Sequence, residues 1–142
     1  MHKIRDNMRE LWHEVGYTEF TANVTITSPT HTELAPVDIV SSGAITYTAV
    51  PTIIEIYAPS YDSGGTGALN LWDATTDLGR LNDNIDVIMA PYFAVRRLTP
   101  TAASHTYKVR GWAQGGSGSV VAGAGGAGVE MPGYIRVLQR GG

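Results

Sequence analysis

At 142 residues with 43% hydrophobic content, the chain suits a single domain with a core of its own. It contains no cysteine, which excludes disulfides and thiolate metal sites and leaves packing, sheet hydrogen bonds and subunit association to hold it together. A formal net charge of −3 argues against a nucleic-acid partner, whose binding needs a concentrated positive surface.

No apolar run approaches the roughly 18 residues a membrane span requires, and the opening MHKIRDNMRELWHE mixes acids with its bases, unlike a secretory leader. The reading is a soluble protein made in a cytoplasm, with no membrane partner. Charge is unevenly spread: residues 33–91 hold eight acids and only Arg80, whereas residues 92–142 hold six bases and only Glu130. Opposite charges on neighbouring strands, or on neighbouring subunits, can pair and fix register; the alternative is plain solvated strand faces.

In chain order, Ile4, Met8, Leu11, Trp12 and Val15 recur at helical spacing, which predicts a short amphipathic helix ended by Gly16, with Trp12 as its main anchor. The period then changes to two, and Phe20, Ala22, Val24 and Ile26 predict one half-buried strand. Pro29 and Pro36 break it; VDIV and AITYT follow as short strands around a Ser41-Ser42-Gly43 turn. PTIIEIYAP is the most apolar segment and reads as a central strand covered on both faces.

YDSGGTGA reads as a loop, LNLWD as a strand, ATTDLGRLNDN as a connection, and IDVIM as a strand. PYFAVRRLTP and HTYKVRGWA complete the set before GYIRVLQR. The glycine-rich GGSGSVVAGAGGAG between the last two predicts a closing β-hairpin with an oversized loop. Eight or nine short strands with frequent turn signals predict an all-β antiparallel sandwich of jelly-roll type, preceded by a short N-terminal helix or arm. The expected division is residues 1–36 as arm, first strand and attachment segment, and residues 37–142 as the sandwich.

Catalytic and cofactor signatures are missing. GAGGAG at residues 123–128 matches GxGxxG, but the following VEMPGYIRV is no helix and no ribose-binding acid comes after it. No phosphate loop, HExxH or GxSxG occurs, and His2, His13, His31 and His105 are scattered. Asp62, Asp73, Asp77, Asp83 and Asp86, with Asn70, Asn82 and Asn84, are oxygen ligands of the kind calcium takes, but their spacing is that of turns and not of an EF-hand. The expectation is a non-enzymatic protein with no cofactor and no metal. Tyr57, Tyr61, Trp72, Tyr92, Trp112 and Tyr134 read mostly as core or subunit interface, with stacking on sugars as the alternative.

YTAVPTIIEIYAPSYDSGG, LNLWDATTDLGRL and TPTAASHTYKVRGWAQGGSGSVVAGAGGAGVEMPGYIRVLQR resemble the small jelly-roll domains of tailed-bacteriophage virion proteins, over about residues 37–140. Head-decoration proteins, head fibres and minor tail proteins carry such domains, and the architecture is also similar to the trimeric heads of complement and tumour-necrosis-factor-like proteins. The resemblance implies a homotrimer in the virion that cements the head exterior, its partners being the major capsid protein or other virion subunits. Ile4, Met8, Leu11 and Trp12 would form the attachment helix. The alternative is a minor tail or receptor-binding module that recognises a host glycan through Tyr61 and Trp112.

Overall fold

Every regular element in the computed structural model is a β-strand; the model describes residues 11–83 and 89–141. Two sheets pack face to face. The larger contains β1 (Trp12–Phe20), β2 (Val24–Ile26), β5 (Thr52–Asp62), β8 (Ala90–Leu98), β11 (Gly118–Val121) and β12 (Gly133–Arg140). The smaller has the order β3 (Val37–Ser41), β10 (Tyr107–Gln114), β6 (Thr66–Asp73) and β7 (Thr76–Arg80). β4 (Ile45–Thr46) and β9 (Ser104–His105) form a two-stranded bridge.

The pairing is nested: β1 with β12, β2 with β11, β3 with β10, β4 with β9, β5 with β8 and β6 with β7, all antiparallel. The chain is one long two-stranded ribbon that turns back at β6–β7 and coils so that β12 and β11 also reach β5, and β10 also reaches β6. A coiled antiparallel ribbon of this kind is a jelly roll. Because β8 takes one edge of β5, β12 and β11 follow one another along its other edge.

Alternation along the strands supplies the core. Ile54, Ile56, Ile135 and Val137 of the larger sheet face Leu69, Leu71, Tyr107 and Val109 of the smaller, with Ile26 and Val120 at one end. Each fully buried aliphatic side chain of this size contributes roughly 1.5–3 kcal/mol. The predicted opposite-charge neighbours occur: Arg110 stands opposite Asp38 and reaches it at 2.6 Å, and Arg136 stands opposite Glu55 at 3.9 Å.

Several expectations are corrected. Trp12 and Val15 lie on β1, not on a helix, because pairing with β12 and contact of Val15 with the core override the local helical period. Ile4 and Met8 lie outside the described residues, as does most of IDVIM. The first strand is split, since residues 21–23 leave the sheet between β1 and β2. Both of these strands are built into the larger sheet, so residues 12–26 are part of the sandwich and not an arm before it. Part of the predicted YDSGGTGA loop is strand, and the connection after Asp73 contains β7.

The closing hairpin does not form. β10 and β12 lie in different sheets, so the glycine-rich segment crosses from one layer to the other and contributes β11 on the way. Gly118 shows what the glycines provide: a Cβ there would overlap the backbone carbonyl oxygen of Asp62 and the carbonyl carbon of Ser63. Gly118→Ala should therefore lower stability by about 2 kcal/mol, the usual scale for forcing extra volume into a packed interior. Ala74, in the tight β6–β7 turn, has φ of 51°, where an L side chain is strained. Ala74→Gly should raise stability by about 1 kcal/mol. Denaturant unfolding of the two variants checks both signs.

Candidate interaction surfaces

The outer face of the smaller sheet is a closed polar and aromatic layer. Trp112 Nε1 donates to Asn70 Oδ1 at 3.0 Å, and Asn70 Nδ2 donates to Glu33 Oε2 at 3.1 Å and to Asp77 Oδ2 at 3.0 Å. Arg80 grips Glu33 through two bonds of 2.7 and 2.9 Å, donates to Asp83 at 2.9 Å, and lies 4.9 Å from the centre of the Trp112 ring. The Arg80 guanidinium holds the Glu33 carboxyl below its ordinary pKa. Beside this set, Arg110 is anchored by Asp38 and covers Trp72 at 4.7 Å. Each tryptophan is thus capped by an arginine that a carboxylate holds in place.

This layer decides the fate of the predicted sugar-stacking residues. Trp112 is 6% exposed and its ring face is taken by Arg80. Tyr61 is 3% exposed and packs against Tyr92 in the core, and burial pushes its phenol pKa up to about 12. Neither ring is an open platform, because the register shift between Ala58 and Tyr61 breaks the alternation of β5 and turns Tyr61 inward, and the 27–36 segment brings Glu33 over β6 and β7. Between that segment and the end of β10 lies a cleft of about 360 Å³, lined by Ser28, Thr32, Glu33, Arg80, Trp112 and Gln114 among others.

The outer face of the larger sheet is different. Phe93, Tyr57 and Tyr134 stand opposite one another on β8, β5 and β12, and Tyr17 of β1, which pairs with Arg136, reaches Tyr134 diagonally. Tyr17 and Tyr57 flank Tyr134 with ring centres 5.3 and 5.6 Å away and planes tilted by 31° and 33°. Rings this close and tilted pack against one another, and the Tyr17 hydroxyl donates to Glu19 Oε1 of its own strand at 3.0 Å. Phe93 is 57% exposed, Val95 50% and Tyr17 47%. Trp12 lies on the same face, where Arg97 of β8 stacks over it at 5.3 Å. Leu11, just before β1, is also exposed.

Sequence reading missed Tyr17, Phe93 and Val95. The signal was present in PYFAVRR, where Tyr92 and Ala94 alternate with Phe93 and Val95, so that both faces of β8 are apolar. The candidate calcium ligands are separated. Asp62 accepts from Gly64 N, Asp77 from Asn70 and Asp83 from Arg80, while Asn82 accepts from Leu69 N; Asn84 and Asp86 lie outside the described residues. Among the described residues, no group of three His, Asp or Glu side chains could hold a metal.

A second cleft, of about 290 Å³, contains His105, Asp73, Thr101 and Arg96. His105 Nδ1 is 2.6 Å from Asp73 Oδ2, and Nε2 is 3.1 Å from Thr101 O and 3.0 Å from its hydroxyl. Asp73 Oδ1 also accepts from Thr106 N. A carboxylate on one nitrogen and a carbonyl on the other both favour imidazolium, so the group joins the β6 end to the β9 turn and is not a free base. The hydrogen bond to Asp73 is the main cause of a raised His105 pKa. A raised folded-state value means that the stabilisation is complete below the ordinary value of 6.5 and is lost as pH rises through the higher folded value. The Tm advantage of wild type over His105→Ala should therefore be largest near pH 6 and shrink steadily toward pH 9, as thermal melts across that range will read.

No protein-family model and no curated protein matches the chain. Among solved structures it is similar to CBM35 from Paenibacillus barcinonensis, at 14% identity and a TM-score of 0.35, over 91% of this chain and 98% of that one. An overlap that loose bears on neither ligand nor function.

Proposed function

We propose that the chain is a non-enzymatic structural protein of a tailed-phage virion, a decoration protein that cements the head exterior as a homotrimer and is assembled in the host cytoplasm. The observation that supports it best is the exposure of Phe93, Val95 and Tyr17 on one face of the larger sheet. An exposed apolar patch marks a docking surface, and tyrosines that pack on one another leave no flat ring face for a sugar, which suits a subunit interface better. The virion setting rests on the resemblance of residues 37–140. In this reading residues 1–10, with Leu11, reach the major capsid protein, and the aromatic face is shared among copies.

Purified chain added to undecorated heads should bind to saturation at hundreds of copies per particle. Chain lacking residues 1–10 should keep its sheet circular-dichroism signal and fail to cosediment. Retained binding by the shortened chain overturns the attachment role, and absence of binding by the full chain overturns the head assignment.

The cleft beside Trp112 favours a second reading, a minor tail or receptor-binding module for host glycans. Its Ser28, Thr32 and Gln114 side chains converge beside the apolar surface of Pro29 and Ala113. Sugar would be held by hydrogen bonds and not by ring stacking. Under this reading the chain binds purified host envelope polysaccharide, and Gln114→Ala weakens that binding about tenfold, the cost of roughly one hydrogen bond to a ligand. Unchanged polysaccharide binding in the variant removes the cleft from consideration.

A further inference from the structure

The larger sheet ends in two long strands, β1 and β8, nine residues each, which flank β12 and β5. Among the described residues, β1 pairs only with β12 and β8 only with β5, so each has one backbone edge outside any ladder. Long open edges invite pairing with another chain and are normally blunted. Pro91 blunts the start of β8, and a bulge between Glu14 and Gly16 interrupts β1. Residues 93–98 and 16–20 have neither device.

The two edges are complementary. β1 carries Glu14 and Glu19 and no Lys or Arg; β8 carries Arg96 and Arg97 and no acid. Every step across the sheet is antiparallel, so β1 and β8 run in opposite directions. A second copy set beside β8 in the same orientation therefore offers its β1 in antiparallel sense, the pairing used everywhere else in the fold.

Register then specifies which residues meet. Partners followed across the sheet link Glu14 through Leu138 and Ile53 to Arg97, and Tyr17 through Arg136 and Glu55 to Val95. With two copies set at equal height along the strands, residues of one row in a single copy become neighbours between copies. Glu14 comes beside Arg97 and Tyr17 beside Val95. Glu14 already accepts from Arg136 at 3.0 Å, and its side chain is 45% exposed, which leaves an oxygen for a second arginine.

Building on the homotrimer reading above, we propose that β1 of each copy adds to β8 of the next, head to tail, and that the ring so formed turns the aromatic face toward the threefold axis. Head-to-tail contacts close into rings when the rotation fits. Three walls of four strands, their edges paired ~4.8 Å apart, surround the axis, and the mutually paired Glu14, Arg136 and Glu55 of each wall turn inward together with the aromatic side chains. Phe93, Val95 and Tyr17 leave water in this arrangement, and both open edges disappear.

The lack of cysteine makes the test clean. In one copy Tyr17 and Val95 are three strand spacings apart, about 14 Å, too far for a disulfide, whose Cα atoms lie within about 7 Å. Oxidation of the full chain carrying Tyr17→Cys and Val95→Cys should give linked dimers and trimers on a non-reducing gel, with neither single variant reaching the trimer. By native mass, wild type should be three chains at 10 μM. Glu14→Arg and Arg97→Glu should each raise the concentration needed for assembly at least tenfold, and the double reversal should restore it. Circular dichroism identifies any reversal that unfolds, in which case Glu14→Gln and Arg97→Gln replace it. A wild type of one chain overturns the trimer and this pairing together. A trimer that stays unlinked and ignores both charge changes overturns the edge pairing and leaves the trimer standing.

Discussion

The rest of the molecule depends on β5 being hydrogen-bonded along both edges, to β8 on one side and to β12 and then β11 on the other. That one strand joins the beginning, middle and end of the folded ribbon. Its register also sets which residues face inward. A slip of one position would turn Ile54, Ile56 and Ala58 to solvent and bring Ile53, Glu55 and Tyr57 into the core, burying a carboxylate. The same register aligns Tyr57 with Phe93 and Tyr134, so core and surface band are two consequences of one constraint.

The two outer faces of the sandwich treat aromatic side chains in opposite ways. On the smaller sheet Trp72 and Trp112 are sealed by Arg110 and Arg80, and Asn70, 1% exposed, is satisfied by Trp112, Glu33 and Asp77 together. A buried amide with all of its partners in place fixes the 27–36 segment against the sheet. On the larger sheet Tyr17, Phe93 and Val95 have no such cover. The two faces therefore differ in finish: one is closed by ion-paired arginines, and the other leaves apolar side chains in water.

Glycine has a packing role here. The segment after Gln114 passes from one sheet to the other through a gap where Gly64, Gly116 and Gly118 run backbone against backbone, with no room for a Cβ. Its flexibility in the unfolded chain is exchanged for close approach in the folded one. This close approach seats β11 between β5 and β2 and closes that end of the core over Ile26 and Val120.

Much of this was legible in the chain itself. Period-two alternation in PTIIEIYAP marked the central strand, because alternation is a local consequence of the pleat. Opposite charge in the two halves anticipated Asp38 with Arg110 and Glu55 with Arg136. Local periodicity failed where a distant partner decided the outcome: the helical spacing of Leu11, Trp12 and Val15 yields to β12, which lies at the other end of the sequence. The sheet change between β10 and β12 was equally invisible, since a glycine-rich connection permits a hairpin and a crossover alike. Amino-acid order alone thus determined the class of fold and which strands are buried. Tertiary structure decided which strands are neighbours, which tryptophans are capped and which tyrosines remain open, because those outcomes depend on contacts between residues far apart in the chain.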